Sequence, residues 1–264
     1  MALVPISRDL HGKTKIRPLT SLSFAATTTV APVYGSEIIS MGYDVPVVFL
    51  RDPAGFAPAA MLGLRAGQNL MIDAQGRWMG SHIPTVWRRG PFRLAQVEGE
   101  EDGKMVLCLD DDNEQINETE GLPLFDDQGA PMAVIESATN LLSQMERDIR
   151  ATRAICALLD RLGLIAPWPL DIVQADGSTS RVSDLFQVDE SKIATLSAEA
   201  LAEIRDAGAL PLIYAHLLSL TKVKLLSRLA KLADERAHQQ AAVQNGNLNL
   251  DRAFGIVEDD PFLF

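Results

Sequence analysis

The sequence predicts an α+β protein, with a β-rich N-terminal half of short antiparallel strands (residues 1–135) and a mainly helical C-terminal half (136–242). Three observations carry that expectation. Short apolar runs closed by Asp, Gly and Pro turn signals recur through the first half. From Ser137 the apolar spacing lengthens to three and four residues, the period of an amphipathic helix. Finally, 47% apolar and 22% charged residues over 264 positions is a globular balance, sufficient to bury a core without disulfides or metals.

Taken in order, residues 45–50 (VPVVFL) form a β-rich run closed by the turn Asp52-Pro53-Ala54-Gly55. Residues 59–64 and 69–72 are further short apolar runs, and Asp73-Ala74-Gln75-Gly76 turns the chain into Arg77-Trp78-Met79. Residues 92–97 and 105–109 flank a turn at 100–103 and read as a hairpin. An apolar run at 121–125 precedes the acidic turn 126–129. Leu141, Leu142, Met145, Ile149, Thr152, Cys156, Leu159 and Leu162 define a helix stopped by Gly163 and Pro167. A small hairpin is expected at 172–182 around Asp176-Gly177. Ser197 caps a helix that Gly208 ends, and Pro211 opens a long helix to about Ala242. Its first part, to Leu220, is apolar all round and therefore expected to be buried. Residues 243–264 are polar and turn-rich, a flexible tail whose Phe262 and Phe264 would either tuck onto the fold or dock into a partner.

Charge excludes some functions. The net charge is −11, and residues 98–127 carry twelve Asp/Glu against the lone base Lys104, leaving the rest of the chain neutral. Nucleic-acid binding needs concentrated Lys and Arg, so none is expected. The acidic segment reads as solvated loops with an edge strand. Cys108 and Cys156 stand apart with no metal-ligand spacing, as in a reducing compartment. The first residues lack a hydrophobic signal core, and the longest apolar stretch, 207–220, is interrupted and too short to span a membrane. A cytoplasmic location without a transmembrane segment is expected.

No nucleophile elbow, phosphate-binding glycine loop or zinc-protease motif is present. Asp110-Asp111-Asp112-Asn113-Glu114 suggests a calcium loop, but Gln115 and Gly121 stand where Gly and Glu are required. The histidines His11, His82, His216 and His238 have no metal-site spacing, and His216 reads as a hydrogen-bonded core residue. No metal or cofactor is expected. The densest polar and aromatic stretch is 63–93, with five arginines and no lysine. From it Arg65, Asn69, Asp73, Trp78, Trp87, Arg88, Arg89 and Phe92 are the candidate partner-binding residues. Guanidinium groups beside aromatic rings suit carboxylates, phosphates or peptide chains. The competing expectation is that these arginines pair with the acidic segment that follows.

Several of these residues fall into a longer pattern. His11, Pro32 with Glu37, Pro46-Val47-Val48-Phe49, Met61-Leu62-Gly63-Leu64-Arg65 and Gln68-Asn69-Leu70 stand in order, followed by Asp73 with Gly76-Arg77-Trp78. Then come Pro84 with Arg88-Arg89-Gly90-Pro91-Phe92, Gly121 with Pro123-Leu124-Phe125, Gly208-Ala209-Leu210 and Ile213-Tyr214-Ala215-His216. The series resembles the bacterial SapC family over roughly residues 5–232. The resemblance implies an accessory role linked to surface-layer, peptide-modification or uptake systems. It supplies no catalytic residue set, and the permease label given to some relatives conflicts with the missing span. The expectation is a non-catalytic cytoplasmic binding or accessory protein acting on a peptide or protein partner, with homo-oligomerisation left open. The alternative is an enzyme whose polar site assembles only in space, from Arg65, Asp73, His82 and Arg88.

Overall fold

A computed structural model describes residues 3–96, 105–173 and 178–244. In chain order the elements are β1 (Leu3–Pro5), the one-turn α1 (Arg8–His11), β2 (Lys15–Ile16), β3 (Val30–Pro32), α2 (Glu37–Gly42), β4 (Val47–Asp52) and β5 (Gly55–Met61). The one-turn α3 (Thr85–Arg88), β6 (Phe92–Gln96), β7 (Met105–Asp110), β8 (Ile116–Asn117) and β9 (Leu122–Pro123) follow. The second half holds α4 (Ala133–Arg161), β10 (Ile165–Pro167), β11 (Leu170–Val173), β12 (Thr179–Val182), β13 (Phe186–Val188), α5 (Glu190–Ile193), α6 (Ala198–Asp206), α7 (Leu210–Ser219) and α8 (Val223–Gln244). The class is the α+β class expected, with antiparallel pairing throughout the strand ladders.

The β4–β5 hairpin is the centre of a five-stranded sheet of order β10-β13-β4-β5-β3. Its turn forms because the Ala54 amide donates to Asp52 Oδ1 at 2.9 Å and Gly55 takes a positive φ of 113°. Strands from the second half therefore extend a sheet begun in the first, at Phe186 opposite Phe49. Val47, Val48 and Phe49 are all fully buried, which requires cover on both faces of the sheet. Helices α2, α4 and α7 supply it.

A second core lies beside β6 and β7, where Ile16, Phe92, Leu109 and Leu124 pack together. Helix α4 joins the two cores. Its first half adds Ala138, Leu142 and Met145 to the smaller core, and its second half adds Cys156, Leu158 and Leu159 to the larger. It starts at Ala133, four residues before the expected onset, because Val134 and Ile135 also find partners in the smaller core. It stops where predicted: Gly163 has φ 67°, and the Leu164 amide reaches back to the Leu159 carbonyl at 2.9 Å.

Two expectations about the last helices need correction. The continuous helix after Pro211 is broken by a 3₁₀ turn at Leu220–Lys222. There Ser219 Oγ and Thr221 Oγ1 donate to the His216 and Leu218 carbonyls, offering the backbone an alternative to helical pairing. Nor is α7 buried all round, since Tyr214 and Leu218 are exposed by 54% and 72%. Only Leu212, Ile213, His216 and Ser219 are buried, because α7 packs along one stripe against α2, β4 and β13. The apolar run at 69–72 forms no strand; Ile72 makes an isolated bridge with Trp78. The turn residues 100–103 and 176–177, and the tail with Phe262 and Phe264, lie outside the described residues. No single helix among the described residues is long and apolar enough to cross a membrane.

Both thiols are buried and unpaired. Burial pushes the Cys156 thiol up to about 12, against a lowering by Arg153, and it raises Cys108 as well. A buried neutral thiol is a poor nucleophile. Neither cysteine is therefore expected to react with a disulfide reagent in the native protein at pH 8, whereas both should react in denaturant. Prompt native labelling of Cys156 would show that the α4 contact opens far below the global unfolding free energy.

Candidate functional site

The chain between β5 and β6 crosses from the larger core to the smaller, and two carboxylates hold it in place. Glu37 and Asp44 stand seven positions apart, two helical turns, and so share one side of α2 and its exit. Asp44 Oδ2 accepts from the Ser81 amide at 2.6 Å and from Ser81 Oγ at 2.8 Å. Glu37, only 8% exposed, accepts through Oε1 from the Thr85 amide, from Thr85 Oγ1 at 2.6 Å and from His82 Nε2 at 3.0 Å. Gly80 permits this approach, since a Cβ there would sit 2.8 Å from Asp44 Oδ2 and 2.8 Å from Trp78 Nε1. The clamp fixes α3 and aims its arginines.

Three clefts frame the clamped segment. The first, about 190 Å³, lies between it and α4, with Tyr34, Glu37, His82, Arg88 and Asp148 among its walls. Arg88 is exposed and braced there, donating to the Ile83 carbonyl at 3.0 Å and to Thr85 Oγ1 at 2.7 Å. The second, about 280 Å³, is apolar, walled by Ile16, Phe92, Leu122, Val134 and Leu141, with Arg88 and Arg89 at its edge. The third, about 510 Å³, opens on the far side of Arg89 and is lined by Phe24, Trp87, Arg89, Arg93 and Asp110. Trp87 is wedged between Phe24 and Trp78 in edge-to-face contacts, with ring centroids 6.4 and 5.7 Å away.

The electrostatics of the third cleft are unbalanced. Arg93 donates to the Gly90 and Phe92 carbonyls at 2.7 and 2.8 Å and reaches Asp110 Oδ2 at 3.4 Å. Asp110 is 7% exposed, and its Oδ1 is buried with no hydrogen-bond partner among the described residues. The same is true of Arg89 Nε. Desolvation, with Arg93 alongside, lowers the pKa of the Arg89 guanidinium against a smaller raising influence from Asp110. Asp110 was expected in a solvated acidic loop; it lies instead at the buried end of β7, anchored by its amide to the Pro91 carbonyl.

Of the expected binding residues, Trp87, Arg88, Arg89 and Phe92 line these clefts, while Trp78 buttresses Trp87 from behind. The other three have structural employment. Arg65 is paired through both terminal nitrogens with Asp234 on α8, at 2.8 Å for Nη1, and borders a separate cleft. Asn69 is buried, bonding the Ala25 carbonyl and the Met71 amide at 3.0 and 2.9 Å. Asp73 organises its own turn, accepting from the Gln75 and Arg77 amides and from Arg77 Nε at 2.7 Å, bonds that hold its carboxyl below the usual range. Arg65 therefore does not converge with Arg88 and Arg89. Of the alternative catalytic set, His82 and Arg88 meet in the first cleft, around Glu37, and Arg65 and Asp73 do not join them. Glu37, Asp44, Arg93 and Asp110 were outside the expected binding set, although Arg93 stands in the arginine-rich stretch and Glu37 in the longer pattern; the seven-residue spacing of Glu37 and Asp44 was a further signal.

The arrangement can hold anionic groups at two arginines and apolar side chains between them, and it can keep a carboxylate-oriented imidazole at His82. Among the described residues no group of three or more His, Cys, Asp or Glu is placed to hold a metal ion. No curated protein and no solved structure matches the chain. The SapC family model matches residues 6–226, a span that takes in the smaller core, the buried larger core except Ala230, the clamp and all three clefts. The chain therefore belongs to the SapC family.

Proposed function

We propose that this chain is a non-catalytic, cytoplasmic accessory protein that binds an extended segment of a peptide or protein partner along the three clefts. The observation that carries the reading is their continuity. The first and second clefts share Arg88 and Leu141, and the second and third share Arg89 and Gln115. An extended chain advances about 3.3 Å per residue with side chains alternating, which suits an apolar trough between two arginine-bearing ends. The net charge of −11 disfavours a nucleic acid in the same place.

The test is selection of peptides against the full chain, followed by hydrogen exchange with a selected peptide. Amide protection is expected in 82–93 and 134–145, and affinity should fall at least about tenfold in an Arg88→Ala/Arg89→Ala double variant, the loss of one or more charge-assisted contacts. Protection confined elsewhere, or affinity indifferent to the double variant, overturns the reading. A second reading, proton transfer on an anionic substrate, rests on the 3.0 Å bond from His82 to buried Glu37 beside Arg88. It requires a turnover that Glu37→Gln abolishes while peptide affinity stays unchanged.

A further inference from the structure

The third cleft has polar atoms that specify what it takes. Arg89 makes no side-chain hydrogen bond or ion pair with any described residue, although its Nε is fully buried at the cleft. Asp110 Oδ1 is an equally buried acceptor lacking a donor. Both atoms are closed to solvent in the free protein, so a ligand reaches them only as the Arg89 side chain, which no bond holds, shifts. A buried polar group without a partner is costly, and a ligand that then satisfies both atoms gains what the free protein forgoes. Such a ligand needs an acceptor for a guanidinium and an N–H for a carboxylate, close together. Two guanidinium groups face one buried carboxylate on the inner wall, and the exposed Asp112 and Glu114 stand at the rim, so the cleft accommodates at most one negative charge on the ligand, placed against the arginines. Glu114 on the rim works against a more highly charged group such as a phosphate dianion. Phe24 and Trp87 supply an aromatic wall for an apolar side chain.

We propose that this cleft captures the C-terminal residue of a peptide, its α-carboxylate on Arg89, its amide N–H on Asp110 Oδ1 and its aromatic or large apolar side chain against Trp87 and Phe24. The α-carboxylate and amide N–H of a terminal residue are one carbon apart, which is the pairing the two orphaned atoms require. Planar, two-point recognition of carboxylate is the geometry arginine favours. The proposal rests on the peptide-binding reading and fixes which end of the peptide lies at the third cleft.

The test uses the full chain and its tryptophan fluorescence, with N-acetyl-phenylalanine, N-acetyl-phenylalaninamide, and the peptide acetyl-Gly-Leu-Gly-Phe as free acid and as amide. The free acids should saturate, and each amide should bind at least about tenfold more weakly because it lacks the charged acceptor. Arg89→Gln should weaken the acids by a similar factor and leave the melting temperature unchanged or raised, since Arg89 makes no bond that the fold loses. Equal affinity for acid and amide overturns the proposal while leaving a peptide bound elsewhere along the clefts compatible with the broader reading. A tetrapeptide acid no tighter than N-acetyl-phenylalanine overturns the assignment to a chain end. Affinity unchanged in Arg89→Gln overturns the role of Arg89.

Discussion

Replacing His216 by phenylalanine is expected to destabilise the protein by about 3 kcal/mol, read as a lowered urea midpoint at pH 7. The imidazole is fully buried and ties two strands to α7: Nδ1 donates to the Val47 carbonyl at 2.7 Å, and Nε2 accepts from the Val188 amide at 3.0 Å. Phe49 packs against it in an edge-type contact, ring centroids 4.9 Å apart and planes inclined at 61°. Phenylalanine fills the space but leaves a buried carbonyl and a buried amide without their partner, each costing about 1–3 kcal/mol. Glutamine can restore one of the two bonds and should recover part of the loss.

The same residue sets a pH dependence. Burial holds the His216 pKa down to about 4 from an ordinary 6.5, only partly opposed by the bond to Val47. The unfolded chain takes up this proton below about pH 6.5 and the native protein only below about pH 4. Between those values the unfolded state binds more protons, so stability falls as pH falls, by up to about 3 kcal/mol across the window. His216→Phe should remove this slope while leaving the acid sensitivity of paired carboxylates such as Asp52 and Asp234, whose pKa values are lowered below 3.8 and which therefore act at still lower pH. Equal slopes in the two proteins between pH 6.5 and 4 would refute the assignment.

What was legible in the sequence was what neighbouring residues decide. Ser197 caps α6 by accepting from the Ala200 amide, Gly163 and Gly208 end helices with positive φ, and the 45–61 hairpin turns at Asp52–Gly55. Each is a local device with a local signature. Trp87, Arg88, Arg89 and Phe92 were legible as a group for the same reason, standing within six positions from the end of α3 to the start of β6. The errors came from distance. Arg65 looked available because its partner, Asp234, stands 169 positions away. Asp110 looked solvated because its neighbours Asp111 and Asp112 are acidic, whereas β7 buries it against β6. The apolar first part of α7 looked wholly buried because composition does not say how many faces a helix has covered.

Glu37 is where the fold and the clefts meet, and its replacement has the second large effect. Glu37→Leu removes the acceptor for three donors on the segment it clamps, two of them on Thr85 and one on His82. The leucine also places an apolar side chain opposite the now unpaired Thr85 amide. A loss of about 2 kcal/mol in global stability is expected, because the freed groups are half-buried and regain water on local opening. The local consequence is larger. With α3 released, amide exchange at 82–89 should accelerate by two or more orders of magnitude, and the binding tested at Arg88 and Arg89 should weaken by at least about tenfold, since the arginines must then be ordered at the moment of binding. Asp44 still holds Ser81, so the release begins beyond that residue. Glu37→Gln keeps an oxygen where Oε1 stands and so preserves the bond from the Thr85 amide. It should stay within about 1 kcal/mol of the parent and retain protection across the segment. Unchanged exchange at 82–89 in Glu37→Leu would show that Asp44 and the aromatic contacts of Trp87 suffice to hold α3, and that Glu37 is buried there for its chemistry.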